Sequence, residues 1–600
     1  MHRAGTDDDE LARGEPLGLV SDRHVQSTGQ YGEGFITLIV DVQRRLRERM
    51  WSQIPPAKHE VRHRSSVCTP ATVVTCGSSE VRILSLGTFA PAVRGFALTT
   101  YGSVSYATVA FGVPMTITTT PVDRRATRPD GTLPRIIQGG MGIGVSTWQL
   151  AREVSLTGEL GVVSGTALDT VVARRLQDGD PGGDLRRAIA HFPAPAVAER
   201  VLERFLRPDG RPVGVPYRPV TKLSLRPSPA LVELAVVSAF AEVWLAKEGH
   251  DGLVGVNLLE KVQMATPFAL YGAMLADVDY VLMGAGIPTD IPRLLDVLAE
   301  HGVGTLDVHV DGATARHTVE LDPATVGTEH LPPLRRPTFL AIVSAHVLAA
   351  YLAREDATRP DGFVVEGPTA GGHNAPPRGR LTLDETGQPV FGPRDDADLA
   401  KVAAVGLPFW VAGGYGTPEA LAAARAAGAE GVQVGTLFAL TDSSGLTPAL
   451  RDELLQQMDD GTLEVRTDAA ASPTGFPFKV AVLPDTAAEP EVYEARPRLC
   501  DLGYLRVPFE KPNGDVSYRC AAEPVADYVR KGGKIEDTVG RKCLCNALTA
   551  DIGLPQTRRD GYREVPLVTL GGDLDGARRL MARHPGGWTP TQAIAFLRGE

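Results

Sequence analysis

Cysteine is scarce, with six in 600 residues, so a disulfide-stapled scaffold is excluded and a reducing, cytoplasmic setting is expected. Positive charge is not in excess either. There are 61 Lys+Arg against 72 Asp+Glu, a net charge of −11, and a general nucleic-acid binder needs a basic face to neutralise phosphates. No uninterrupted apolar run approaches the roughly 18–20 residues of a membrane span, so no membrane partner is expected. The first residues, MHRAGTDDDELARGEP, are polar and acidic, unlike a signal peptide. No fixed-period repeat stands out. What remains is an ordinary globular composition, 43% hydrophobic and 22% charged, on a chain long enough for a large core and more than one domain.

Residues 1–130 show charge runs (Asp7 to Glu10, Arg44 to Arg49) and Ser/Thr-rich patches without sustained periodicity. They are expected to form a poorly ordered N-terminal extension, a small appended domain, or a leader upstream of a start at Met115. From Pro134 the texture changes. Eight short apolar runs end in Gly or small polar residues: 135–140, 161–165, 253–259, 280–286, 339–344, 362–367, 409–414 and 431–436. Continuous Val/Ile/Leu runs suit strands buried on both faces, and their alternation with helical patterns indicates βα units. Eight in about 300 residues predict an α/β fold, a (β/α)8 barrel over 131–442. Two insertions would decorate it: a long, largely helical one over 166–252, after the second strand, and a hairpin over 305–332 around Asp311-Gly312. Thr417-Pro418-Glu419 reads as a helix start and Gly428 as its end; a second helix reads from Thr289/Asp290 to Gly302. Residues 443–600 read as a mixed C-terminal appendage or lid.

Glycines end both the seventh strand (Gly413, Gly414) and the eighth (Gly435, followed by Thr436). In a barrel these loops are neighbours where phosphate sites recur, because bare backbone N–H groups and a helix N-terminus favour an anion. The same glycines would also serve plain tight turns. The first strand ends Gln138-Gly139-Gly140-Met141-Gly142, which leaves room for backbone to lie flat against a planar ring, or is a flexible loop. The sixth leads into Glu366-Gly367-Pro368-Thr369-Ala370-Gly371-Gly372-His373-Asn374, placing a His at the catalytic face, where an imidazole near its ordinary pKa suits proton abstraction. Asn257, in the apolar third strand, needs polar partners from a cofactor or a neighbouring loop.

QGGMG, GVNLL, GPTAGGH, AGGYGTPEAL and GVQVGT, in that order, resemble the nitronate monooxygenase family, once called 2-nitropropane dioxygenases. These are FMN-dependent barrels related to FMN-dependent enoyl-acyl-carrier-protein reductases and to the reductases of polyunsaturated-fatty-acid and polyketide synthases. The resemblance spans roughly residues 134–480. It implies that Gln138, Gly139, Gly140 and Met141 lie at the flavin ring, and that Asn257 and Gln433 hydrogen-bond flavin or ribityl groups. It implies further that Gly371 and Gly372 line the cofactor site and that Gly413, Gly414, Gly435 and Thr436 hold the phosphate. His373 would be the catalytic residue, taking a nitronate α-proton or orienting substrate, and Ser472–Val480 would fold back over the site. Thr369 and Ala375 depart from the Glu and Gly common in the family. The implied activity is oxidation of alkyl nitronates with O2; the alternative is enoyl-thioester reduction with NAD(P)H. A third possibility is a phosphate-ligand barrel without redox chemistry. Oligomeric state is not legible.

Four of the six cysteines, Cys500, Cys520, Cys543 and Cys545, fall in the last 101 residues. Four thiolates can bind zinc or an iron–sulfur cluster, but Cys-Leu-Cys matches no standard spacing. They are expected to be reduced, partly buried thiols, and no metal site is assigned. Cys68 and Cys76 are assigned no role.

Overall fold

A computed structural model describes residues 125–600 and three short strands before them, Leu98–Tyr101, Val104–Thr108 and Pro114–Ile117, which pair as an antiparallel meander. The expected extension over 1–130, with Cys68 and Cys76, otherwise lies outside the described residues up to Arg125.

All eight apolar runs are strands of one parallel sheet: β1 (Ile136–Gln138), β2 (Gly161–Ser164), β3 (Val254–Leu259), β4 (Tyr280–Gly284), β5 (Thr338–Val343), β6 (Gly362–Glu366), β7 (Phe409–Ala412) and β8 (Gly431–Val434). Their order is β1-β8-β7-β6-β5-β4-β3-β2. The ends meet: Gln138 N–H donates to Leu160 O at 3.0 Å and Leu160 N–H to Ile136 O at 3.1 Å, closing the sheet into the expected barrel.

Side chains alternate across each strand, so residues two apart share a face. Ile137, Val162, Tyr280, Leu282, Leu340, Val364, Trp410 and Ala412 pack together inside the barrel. Their neighbours, such as Val163, Val281, Phe339, Phe363 and Phe409, face the helices and belong to a separate, larger core. The next inward layer toward the C-terminal mouth is therefore Asn257, Gly284, Ile342, Glu366 and Gln433, each two residues beyond an inward position. That parity builds the site described below.

The insertion after β2 is helical as expected. Its last helix, Pro229–Lys247, is apolar all round, the pattern of a helix covered on every side. By length and composition it could cross a membrane, yet most of it is buried: helices Leu168–Gln177, Asp184–Ala190 and Pro195–Phe205 pack on it, as does Thr266–Leu275 of the barrel. The 305–332 hairpin is present as Gly304–Val308 paired with His317–Leu321, with Asp311-Gly312 inside a long connection rather than a two-residue turn. Asp311 also exchanges backbone hydrogen bonds of 2.9 Å with the C-terminal strand Val507–Glu510.

The helix after β7, Pro418–Ala426, is capped by the Thr417 hydroxyl, which accepts from Ala420 N–H at 3.2 Å. Asp290 precedes Ile291–Ala299 without a side-chain cap. After β8 only a single turn, Thr436–Ala439, follows. The βα rhythm stops near 442, but the packing crosses that point. The final helix, Pro590–Arg598, lies between Trp148–Leu156 and Pro418–Ala426, the place of an eighth barrel helix. Arg598 anchors it on Thr157 O (3.0 Å) and on Glu159 (2.9 Å).

Candidate active site

A cavity opens at the C-terminal mouth. Its floor is the inward layer Asn257, Gly284, Ile342, Glu366 and Gln433; the loops add Gly140, Gly142, Gly371, Gly372 and His373. Phe478, Tyr504, Leu505, Leu544, Cys545 and Leu548 come from the C-terminal segment.

Gly140 is pressed against Asn257. A Cβ there would stand 2.2 Å from Asn257 Cβ, so no side chain fits. Asn257 Nδ2 reaches Gly140 O at 3.4 Å. Gln433 Oε1 is buried without a partner, a vacancy for one hydrogen-bond donor. Gln138 does not join them. It points outward between the inward Ile137 and the loop, fully buried, and its amide is consumed by Gly139 O (2.5 Å), Ser146 Oγ (2.9 Å) and Val162 N–H (2.8 Å). The expected ligand contact of Gln138 is corrected to a brace on the glycine loop. Met141 likewise does not line the cavity; its sulfur packs at Gly435.

His373 lines the cavity as expected, and Ser472–Val480 folds over it. His373 Nε2 shares a 2.7 Å hydrogen bond with Ser472 Oγ, and Phe478 packs edge-on at 5.0 Å. Asn374 N–H donates to Pro477 O and Lys479 N–H to Gly372 O, each at 2.9 Å. The imidazole is not near its ordinary pKa. Burial, with the nearby Lys261 charge adding to it, pushes it down to about 3. A neutral ring that holds a proton so weakly is a poor general base and remains a good hydrogen-bonding group.

Glu366 received no role from the sequence. It ends β6 on the cavity wall, and burial alone lifts its carboxyl to about 7. A carboxyl poised near neutrality is suited to giving or taking a proton. The signal was available: Glu366 stands two residues after the inward Val364, and so points into the mouth.

The expected phosphate loops lie beside the cavity rather than on its wall. Gly413 and Gly414 have left-handed backbone (φ +83° and +79°), and a Cβ on either would crowd Thr369. A C-terminal loop covers them: Gly571 N–H donates to Thr436 Oγ1 at 3.0 Å and Gly572 N–H to Thr369 O at 2.8 Å. An Asp573 carboxylate oxygen lies 3.3 Å from where a Gly414 Cβ would stand.

Comparison with known proteins bears out the resemblance read from the motifs. Residues 327–471, which contain GPTAGGH, AGGYG and GVQVGT, match the family model for nitronate monooxygenase. A (3aS,4S,5R,7aS)-5-hydroxy-7a-methyl-1-oxo-octahydro-1H-indene-4-carboxyl-CoA dehydrogenase of Mycobacterium tuberculosis is 36% identical over 124 residues, 20% of this chain and 32% of that protein. The chain thus spans about a third of the length of this curated relative. Among solved structures, a nitroalkane oxidase from Streptomyces ansochromogenes aligns over 79% of this chain and 96% of its own, at 16% identity and a TM-score of 0.35. FabK from Thermotoga maritima aligns over 60% and 73%, at 20% identity and a TM-score of 0.32.

Proposed function

We propose that this barrel, which carries a nitronate monooxygenase domain over residues 327–471, is an FMN-dependent oxidoreductase that reduces an enoyl thioester with NAD(P)H. The observation that carries the substrate reading is the character of the cavity wall. Leu258, Leu259, Val262, Ile342, Leu505 and Leu548 line it, its one carboxyl is Glu366, and the nearby Lys261 ammonium is engaged by Ala285 O. A nitronate anion there would lose its water against a largely apolar wall, and would meet Glu366 when that group is ionised. A neutral acyl chain gains from the same wall. The M. tuberculosis relative is named for a carboxyl-CoA compound, which supports a thioester. Oxidation of alkyl nitronates with O2 is the second reading, favoured by the domain match.

The residues present fit a flavin. Asn257 and the unpartnered Gln433 Oε1 offer hydrogen bonds, and the bare Gly140 lets a planar ring approach. Gly413, Gly414, Gly435 and Thr436 would hold the phosphate once the loop over them makes room. When bound, FMN supplies hydride transfer between NAD(P)H and the substrate. Glu366 then delivers the proton that saturation of the double bond also requires. His373, kept neutral and fixed by Ser472, orients the thioester carbonyl. Phe478 and the leucines exclude water.

Asp573 opposes a phosphate at Gly414 by charge. Asp573→Asn is therefore expected to raise the fraction of chain purified with FMN, read from the ratio of flavin to protein absorbance. Equal or lower occupancy would place that carboxylate away from the phosphate.

Anaerobic stopped-flow absorbance separates the two readings. Fast bleaching of the flavin by NADPH, reversed by crotonyl-CoA, with no response to propionate-3-nitronate, is the expected result. Fast reduction by the nitronate and silence with NADPH would replace the reductase reading by the monooxygenase.

A further inference from the structure

A second cavity, of about 340 Å³, abuts the first. Leu502 lines it, whereas Tyr504 and Leu505 line the other; Thr170 on its wall shares a 2.7 Å hydrogen bond with the Tyr504 hydroxyl. Three further stretches, distant in sequence, enclose it. The helix Leu168–Gln177 supplies Thr170 and Arg174, the loop over 216–220 supplies Tyr217 and Arg218, and residues 556–559, beyond the helix Leu544–Asp551, supply Arg558 and Arg559. Hydrogen bonds tie these stretches together. Tyr217 N–H donates to Gln556 Oε1 at 2.9 Å, Gln556 Nε2 donates back to Tyr217 O at 3.2 Å, and Arg174 Nη1 donates to Leu554 O at 2.5 Å.

The wall carries four arginines, Arg174, Arg218, Arg558 and Arg559, and one carboxylate, Asp501. Asp501 is already taken: Arg558 pairs with it, and Asn546 Nδ2 donates to it at 3.0 Å. Among the described residues, Arg174, Arg218 and Arg559 have no carboxylate within ion-pair distance. The Arg218 head group donates to a neutral carbonyl, Arg204 O, at 2.9 Å. Arg218 and Arg559 are exposed, so water can serve them. Arg174 is only 4% exposed, with its guanidinium 5.0 Å from the centre of the Tyr217 ring. A buried charge has lost its water and is ordinarily paired. Arg496 obeys that rule: burial pulls its pKa down, and its partner Glu564 more than reverses the shift. At Arg174 burial also pulls the pKa down, and the surrounding groups do not reverse it.

An anion entering this cavity would supply the missing charge. A guanidinium fork matches phosphate oxygens in pairs, and three arginines without a carboxylate suit an anion of more than one charge. A site next to the reaction cavity can hold the end of a ligand that does not react, and so contribute binding energy to the end that does. We propose that this second cavity binds the diphosphate of a nucleotide whose reactive end works at the adjoining barrel mouth. Two participants in the reductase reading carry a diphosphate, NAD(P)H and the coenzyme A of the thioester. Naming either one rests on that reading; the diphosphate site itself does not.

The test is equilibrium dialysis of the full chain against labelled inorganic pyrophosphate, followed by competition with unlabelled coenzyme A and with NADPH. Saturable binding of pyrophosphate is expected. The double variant Arg218→Glu/Arg559→Glu changes two exposed side chains, so it should keep the parent's melting temperature while its affinity falls by about tenfold or more, the usual worth of a charge-assisted hydrogen bond. Displacement by coenzyme A would make the ligand the carrier of the thioester; displacement by NADPH would make it the reductant. Wild-type protein that binds no pyrophosphate, or a double variant that binds it equally well, would overturn the site. Pyrophosphate held against both nucleotides would overturn the nucleotide assignment. Flavin that stays oxidised with NADPH in the stopped-flow experiment would count against the reductase reading alone.

Discussion

Gly140→Ala is expected to strip the protein of flavin and lower its melting temperature by several degrees. The added Cβ would lie 2.2 Å from Asn257 Cβ, 3.0 Å from Asn257 Cγ and 3.3 Å from Val162 Cγ1. None of these is the free end of a flexible chain. Asn257 Cβ is fixed to β3, which is hydrogen-bonded between β2 and β4. Overpacking of this kind costs about 1–3 kcal/mol, and the strain falls on the loop that would meet the ring. Flavin absorbance after desalting and a thermal melt read both effects. The double variant Gly140→Ala/Asn257→Gly removes the clashing atom, so stability should return in part while the lost amide keeps flavin occupancy low. Parental flavin content and melting temperature in Gly140→Ala would refute the close-packed geometry.

Glu366→Gln is expected to cut turnover at pH 7 by about 10²–10⁴-fold, the usual contribution of a positioned proton donor. Because the carboxyl is lifted to about 7, wild-type turnover should hold below that pH and fall as pH rises through it. The variant should lose this limb. His373, pushed down to about 3, should contribute no limb near its ordinary range, so His373→Gln should keep the wild-type profile at a lower rate. Stability moves with the same group. The folded protein binds the Glu366 proton more tightly than the unfolded chain does, so this carboxyl costs stability as pH rises from about 4.5 to about 7, and the cost is constant above that. Melts of apo protein at pH 5 and pH 8 should therefore show Glu366→Gln gaining on the wild type at the higher pH. A parallel course would mean that Glu366 is ionised throughout.

The eight strands were legible because strands buried on both faces must be apolar nearly throughout and must end where backbone turns. The helix caps at Thr417 and Gly428 were legible for the same kind of local reason. The errors at the site came from facing. Gln138 sits in the most suggestive motif, yet its side chain points away from the mouth; Glu366 sits at the start of the GPTAGGH motif, and two-residue alternation points it inward. Composition alone does not say which parity faces in. Only a neighbouring strand's register does.

His373 shows a different limit. Its place at the mouth followed from the order of the motifs, but its chemistry did not. Burial, with the Lys261 charge adding to it, leaves a weakly basic ring, and Ser472 and Phe478, which arrive about a hundred residues later, pack against it.

Local physics in the sequence thus determined the barrel, its glycine-ended loops and the family they resemble. Those features depend on residues within a few positions of one another. Tertiary structure alone decided which side chains line the cavity, what protons they hold, that a C-terminal loop lies over Gly413 and Gly414 and that the last helix completes the barrel. Each of these depends on burial or charge contributed by a segment distant in sequence.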